Sequence, residues 1–230
     1  MRLGRGEIAV WTAALDGAGV SDCLAPEERA RADFAIDPME RRRRVCSRSV
    51  LRHILGAYVG LPAAQLEFVT APHGKPRLVN GPEFNLSHSG ETMLLAVSGA
   101  GPVGVDVEPC GRLDDDWRGV TRRTFSDAER AQLEQMPDAD RPRAALRGWV
   151  RKEAYAKARG EGFAYGFPSF TVRLDEGAAG SMLVEDAKDD GAVSGWRLLD
   201  LVAPLEFAAS LAHGSAECVI AYRSYETLHL

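Results

Sequence analysis

Apolar positions in this chain follow two rhythms, and the switch between them marks its elements. Alternating or continuous apolar runs at Glu7 to Leu15, Leu66 to Thr70, Met93 to Ser98 and Val103 to Val107 predict strands. So do Phe170 to Leu174, Trp196 to Val202, Phe207 to Ala212 and Cys218 to Tyr222. Between the first two runs, Pro26 stands at a first helical position and opens an Arg/Ala/Glu-rich segment reaching Phe34. The basic run Arg41 to Arg44 then leads into a helix from Val45 to about Val59. Its Val50, Leu51, Ile54, Leu55 and Tyr58 keep the helical period, and Gly60 and Pro62 end it. Ala71 to Pro76 reads as a turn-rich loop, and Phe84 to Gly90 as a segment entering a second turn. Further on, Ser126 with Glu129 three residues later has the spacing of a capping box. A helix around Trp149 runs to about Arg159 and is closed by Gly160 and Gly162. Glu176 to Gly195 is rich in Gly, Ala and Asp and reads as a mobile surface hairpin.

The order of these elements repeats. Each half has an acidic-basic helix start (Pro26-Glu-Glu-Arg, then Ser126-Asp-Ala-Glu-Arg), a main helix and a meander of strands. The last two strands of each half are separated by a Gly/His/Ser turn, Ser87 to Gly90 and His213 to Ser215. The spacing suggests an internal duplication at roughly 100 residues, too long for a solenoid. Gly99-Ala-Gly-Pro102 is the linker candidate, dividing the chain into 1–102 and 103–230. Two such α/β halves facing each other would leave a cleft, a favoured place for a ligand.

Composition narrows the class. The chain has 230 residues, 45% apolar and 27% charged, the profile of a soluble globular protein of one large or two small domains. A formal charge of −5 gives no global attraction to nucleic acid or an anionic membrane, so an anion site must be a local cluster of bases. The four cysteines are scattered without CxxC spacing, which speaks against a disulfide framework and against a zinc site. No apolar run nears the roughly 20 residues of a membrane span. The start of the chain does not resemble a signal peptide, and the expected location is the cytoplasm.

Two stretches carry the candidate chemistry. In Val103-Gly-Val-Asp-Val-Glu-Pro109, Asp106 and Glu108 share one face of a strand while the valines take the other. Paired carboxylates repel unless a cation or proton lies between them; a charged outer face on an edge strand describes them equally well. In Trp149-Val-Arg-Lys-Glu-Ala-Tyr-Ala-Lys157, Trp149, Glu153 and Lys157 fall four apart on one helix face with Lys152 beside them, which a simple i,i+4 pair would also explain. Asp106, Glu108 and Glu153 together make three hard oxygen ligands, suited to Mg²⁺ or Mn²⁺, and Mg²⁺ normally completes its shell with water and substrate phosphate. Bases for a phosphate lie upstream: Lys75 beside Pro76, Ser87 and His88 at a strand end, and the Arg41 to Arg44 run.

Taken in order, Gly74-Lys-Pro76, Phe84-Asn-Leu-Ser-His-Ser89, Val103-Gly-Val-Asp-Val-Glu108 and Trp149 to Lys157 resemble the 4′-phosphopantetheinyl transferases of the surfactin-synthetase type, over about Pro26 to Leu174. Phe167 to Leu174 fits as well. The resemblance implies an α+β pseudo-dimer of two similar subdomains, each a small, mostly antiparallel sheet packed with a main helix. The active site would lie in the cleft between them. It implies transfer of phosphopantetheine from coenzyme A to a serine of an acyl or peptidyl carrier domain, with release of adenosine 3′,5′-bisphosphate. By position, Asp106, Glu108 and Glu153 would hold Mg²⁺, and Lys152 and Lys157 would neutralise phosphate charge or protonate the leaving group. Lys75, Pro76, Ser87 and His88 would bind the nucleotide end, with Arg43 and Arg44 near the 3′-phosphate and adenine. Arg29 and Arg31 stand where the family often carries further bases, interrupted here by Glu28. Glu153, directly or through a metal-bound water, is the candidate base. Both halves on one chain imply a monomer serving nonribosomal peptide or polyketide synthases, a siderophore pathway among them. Without the resemblance, the same residues would also suit a Mg²⁺-dependent coenzyme A pyrophosphatase or a non-catalytic binding module.

Overall fold

Why each half closes on itself is clearest at its long helix. In the computed structural model, which describes residues 1–16, 23–177, 181–204, 206–214 and 217–229, the chain begins with β1 (Glu7–Ala14), α1 (Pro26–Asp33) and α2 (Pro38–Val59). Asp37 caps α2 by accepting from the Met39 amide at 3.0 Å, Pro38 sets its first turn, and Gly60 ends it in the left-handed region at φ 72°. The Arg41–Arg44 run therefore lies inside the helix. The buried face of α2, with Val50, Leu51, Ile54 and Leu55, packs against a sheet. The first half continues with β2 (Phe68–Thr70), β3 (Pro76–Leu78), β4 (Glu83–Ser89) and β5 (Thr92–Ser98).

The second half opens with β6 (Val103–Pro109), then α3 (Trp117–Thr124), α4 (Asp127–Gln135) and α5 (Arg141–Arg159). It ends with β7 (Phe170–Val172), β8 (Leu183–Asp186), α6 (Ala192–Gly195), β9 (Arg197–Asp200), β10 (Phe207–His213) and β11 (Val219–Ser224). The fold is α+β, and its two main sheets repeat one strand order. The second runs β6-β10-β9, the first β11-β1-β5-β4, and the matching strands pair antiparallel in both. Each half also carries a small hairpin, β2-β3 and β7-β8.

Several expectations change. Phe84 to Ser89 is a strand, not the approach to a turn: it pairs with β5 from Glu83↔Ser98 to Ser89↔Thr92, and Gly90 makes the hairpin. The counterpart of the β4-β5 hairpin is β9-β10, not the pair flanking His213 to Ser215. Instead β11 crosses to the first sheet and lies parallel to β1, from Glu7↔Val219 to Thr12↔Ser224; Ser215 itself is outside the described residues. Residues 176–195 are not simply a surface hairpin. Met182, Leu183, Asp186 and Ala192 are buried, whereas 178–180 lie outside the described residues. The Leu66 to Thr70 strand shortens to β2, Pro76 begins a strand of its own, and α3 has no counterpart in the sequence reading.

The valines of β6 face the first half. Val103, Val105 and Val107 form one cluster with Ile8, Val10, Leu94 and Ala96, so the two sheets share an apolar layer. The opposite face of β6 meets α5, and the contact depends on Gly104. A Cβ there would stand 2.1 Å from the Ala154 carbonyl oxygen and 2.3 Å from the Ala158 nitrogen. Only glycine lets the helix lie this close. Among the described residues no helix is long and apolar enough to cross a membrane.

Candidate active site

The face of β6 that carries Gly104 also carries Asp106 and Glu108, so close seating of α5 brings Glu153 and Lys157 to the same seam. Strand β4 supplies the third wall. Its Asn85, Ser87 and Ser89 alternate onto the side facing β6. Asn85 Oδ1 accepts from the Val105 amide at 2.8 Å, Ser87 Oγ donates to Asp106 Oδ1 at 2.8 Å, and Ser89 Oγ donates to Glu108 Oε2 at 2.6 Å. Lys157 Nζ completes the group, 2.6 Å from Asp106 Oδ1 and 3.1 Å from Ser87 Oγ. Asp106 is buried, and its second oxygen, Oδ2, has no hydrogen-bond partner. A buried carboxylate oxygen left in this way is costly unless a cation meets it.

Glu153 lies beside this group without a hydrogen bond of its own to it. Burial raises its pKa to about 7; Asp106 and Glu108 push the same way, and Lys157 opposes them. Burial likewise raises Glu108, against the Ser89 bond and the guanidinium of Arg112 at 3.8 Å. Three carboxylates thus converge in low dielectric with one ammonium among them. Among the described residues, no group of three or more His, Cys, Asp or Glu side chains is arranged to hold a metal ion. The donor chemistry nevertheless suits a hard divalent cation. The oxygens are of the right kind, Asp106 Oδ2 is unsatisfied, and the mutual repulsion would be relieved.

The upstream bases are distributed differently from expectation. Lys75 reaches across the cleft and donates to the carbonyls of Val103 at 2.8 Å, Lys157 at 2.9 Å and Ala158 at 3.4 Å, and its burial lowers its pKa to about 8. It satisfies the C-terminal carbonyls of α5 and ties the halves together. His88 points to the α2 side of β4. Burial lowers its pKa, Glu40 opposes, and Lys157, Arg44 and Arg43 reinforce. Arg43 holds Glu91 at 2.9 Å, and Arg44 pairs along the helix with Glu40 at 2.9 Å. Pro76 lines a cavity of about 510 Å³ between α1, α2 and the β2-β3 hairpin, together with Arg31, Arg48 and Arg52. Arg31 and Arg44 also line a neighbouring cavity of about 240 Å³. Glu28, the acid that interrupts the basic pattern, pairs with Arg48 and with Arg52 at 2.7 Å and also accepts from the Ala25 amide at 2.9 Å. It orders these arginines around the cavities.

Lys152 is corrected outright. It does not join Glu153 and Lys157 on the seam; it is fully buried inside the second half. Its Nζ donates to Glu129 Oε1 at 2.7 Å, to Glu129 Oε2 at 2.8 Å and to the Phe170 carbonyl at 2.5 Å. Burial draws both partners toward neutrality, Lys152 down to about 8 and Glu129 up. Glu129 also accepts from the Ser126 and Val172 amides at 2.7 Å each, so the pair joins α4, α5 and β7. One residue along a helix turns a side chain by about 100°, which is enough to separate Lys152 from Glu153. Trp149 packs against Phe163 and Phe167 beside the seam. Asn85 and Ser89 were not singled out from sequence, although a period-two reading of 84–89 as strand would have put them beside Ser87.

Residues 102–212 match the family model of the 4′-phosphopantetheinyl transferase superfamily. Over 216 residues the chain is 33% identical to 4′-phosphopantetheinyl transferase HetI of Nostoc sp. (strain PCC 7120), covering 90% of this chain and 87% of that one. It is 35% identical over 162 residues to 4′-phosphopantetheinyl transferase psf-1 of Bacillus pumilus, covering 70% and 68%. Similarity to 4′-phosphopantetheinyl transferase Sfp of Bacillus subtilis is more distant, 25% over 166 residues, covering 71% and 72%.

Proposed function

The chain belongs to the 4′-phosphopantetheinyl transferases, and from that membership we propose how its cleft carries out the transfer. The enzyme moves phosphopantetheine from coenzyme A to a carrier protein. The serine Oγ–P bond forms at the phosphorus bearing the pantetheine arm, the pyrophosphate P–O bond breaks, and adenosine 3′,5′-bisphosphate leaves. The observation that supports this use of the seam most strongly is Asp106, buried, held by Ser87 and Lys157, with Oδ2 unmatched.

Each residue has a part. Phosphoryl-type transfer needs positioning and charge neutralisation more than covalent chemistry from the protein. Lys157, 2.6 Å from Asp106, is placed to neutralise the pyrophosphate as charge builds on the leaving oxygen. Asp106, Glu108 and Glu153 would hold Mg²⁺, or Mn²⁺ in its place, which when bound supplies positive charge at the pyrophosphate and favours ionised Glu153. Glu153, buried beside Asp106 and Glu108, is the group proposed to accept the serine proton. The arginine-lined cavities under α1 and α2 take the nucleotide, with Arg31, Arg44 and Arg48 toward the 3′-phosphate and His88 beside them. Pro76 borders the same site. Lys75 keeps the cleft walls together rather than meeting the nucleotide.

Both walls of the cleft come from one chain, so a monomer is sufficient, and 1–102 and 103–230 act as its two subdomains. Carrier domains of nonribosomal peptide, polyketide or siderophore assembly lines are the proposed acceptors, and the cytoplasm the proposed site of action. The test is adenosine 3′,5′-bisphosphate release from coenzyme A and Mg²⁺, measured by chromatography with and without an apo carrier domain. Release that requires the carrier is expected; equal release without it would make the seam hydrolytic and overturn the proposal.

A further inference from the structure

Away from the seam, basic side chains of the second half gather at one place. Helices α3 and α4 and the first residue of α5 enclose a cavity of about 260 Å³ whose lining includes Trp117, Arg118, Arg122, Arg130, Glu134 and Arg141. Four guanidiniums thus stand against one carboxylate, in a chain whose formal charge is −5. Two of the four have a structural task. Arg130 donates to the Phe125 carbonyl at the C-terminal end of α3, and Arg141 donates to the Glu134 and Met136 carbonyls, each at 3.0 Å, at that of α4. Their ion-pair partners, Asp127 and Asp138, are exposed and lie outside the lining. Both guanidiniums are therefore fixed by helix ends rather than by an acid inside the cavity. Arg118 and Arg122 have no such task. They stand four apart on α3, a like-charge spacing that weakens a helix, and among the described residues neither has an ion pair. Asp116, at the start of α3, pairs with Arg123 instead, at 3.6 Å.

We propose that this cavity is a second anion site, apart from the coenzyme A cleft, that takes a compact polyanion: a small molecule bearing two or more phosphate or carboxylate groups. Guanidiniums bind both groups through paired N–H donors. Glu134 offsets one of the four cations, which leaves a place for two or three negative charges. Trp117 packs against the core of the second half, and Arg118 lies 4.4 Å over its ring, so that guanidinium is held at the cavity by a fixed aromatic face. An occupant relieves the repulsion between Arg118 and Arg122 and bridges them to Arg130 and Arg141, joining α3, α4 and α5. The site does not overlap the carboxylate seam: Arg141 precedes Glu153 by twelve residues, about 18 Å along a helix. The inference does not rest on the coenzyme A reading, and either can fail alone.

The test is isothermal titration of the full chain with inorganic pyrophosphate and, separately, with citrate, in EDTA so that no divalent ion carries either anion to the seam. At least one is expected to bind, and the tighter of the two tells whether phosphate or carboxylate is the group recognised. In the Arg118→Gln/Arg122→Gln variant one binding event is expected to weaken about tenfold. Both side chains are exposed, and an unchanged Tm shows that the variant has folded. Arg2→Gln/Arg5→Gln removes the same two charges from exposed positions elsewhere and is expected to leave binding within about twofold. Unchanged binding in the α3 variant, or an equal loss in both variants, overturns the inference, because the anion would then sit elsewhere or answer only to total charge. Binding of neither anion by the wild-type chain overturns it too. If the α3 variant then also fails to modify a carrier domain, these arginines meet an acidic protein surface instead.

Discussion

Gly104→Ala reaches the central geometry through a single methyl group. The new Cβ would lie 2.1 Å from the Ala154 carbonyl oxygen, against ordinary contacts of 3.4–4 Å, so α5 must retreat by about 1.3 Å. The atoms in the way are helix backbone and cannot rotate aside. A retreat of that size takes the 2.6 Å Lys157–Asp106 contact to about 3.9 Å, out of hydrogen-bond range. Overpacking of this kind costs about 1–3 kcal/mol, and for a chain this long a loss of about 2 kcal/mol lowers Tm by roughly 4–8 °C. Misplacement of a catalytic group by about 1 Å lowers turnover by about 10²-fold. The checks are calorimetric melting and turnover on one preparation. Gly195→Ala is the control, because nothing stands within 4 Å of its Cβ position. A Gly104→Ala protein that melts and turns over like wild type would refute the claim that close seating of α5 builds the site.

Three further outcomes follow from the geometry. Lys157→Ala is expected to lower kcat by about 10²–10³-fold at saturating coenzyme A, measured by carrier modification; an effect confined to KM would contradict its role at the leaving oxygen. Lys152→Met leaves Glu129 buried and unpaired and should lose about 3–5 kcal/mol in urea unfolding. Adding Glu129→Gln removes the buried charge and keeps an acceptor for one of the Ser126 and Val172 amides, so it should restore part of the loss, with KM for coenzyme A unchanged. A raised KM in the double variant would return Lys152 to the phosphate site. Glu153 is raised in the folded chain from 4.5 to about 7, so its contribution to stability is intact below pH 4.5 and is lost as pH rises through 7. Glu153→Gln, unfolded in EDTA, should therefore stabilise the protein more at pH 8 than at pH 5, by on the order of 2–3 kcal/mol; the same effect at both pH values would contradict the raised pKa.

The seam was legible where side-chain period decides direction. Alternation in Val103 to Glu108 assigned the valines to the core and the acids to the other face, and the four-residue spacing of Glu153 and Lys157 put them on one side of α5. Legibility failed where direction depends on a partner remote in sequence. Lys152 is adjacent to Glu153, yet it points inward because Glu129 and the Phe170 carbonyl await it there. Phe84 to Ser89 carries turn-forming residues, and its pairing with β5 overrides them. The polar face this creates, Asn85, Ser87 and Ser89, positions the backbone and carboxylates of β6. Strand β11 gives no local signal for leaving its own half, since parallel pairing with β1 rests on contacts more than 200 residues apart. Glu28, which breaks a basic pattern when read in sequence, organises Arg48 and Arg52 once folded.

The most direct measurement of the central claim is the intact mass of an apo carrier domain after incubation with coenzyme A, Mg²⁺ and either the wild-type chain or Asp106→Ala. A carrier heavier by one phosphopantetheine with the wild-type chain, and unchanged with Asp106→Ala, is the expected result. Equal modification by both proteins would contradict the assignment of the chemistry to the Asp106 seam.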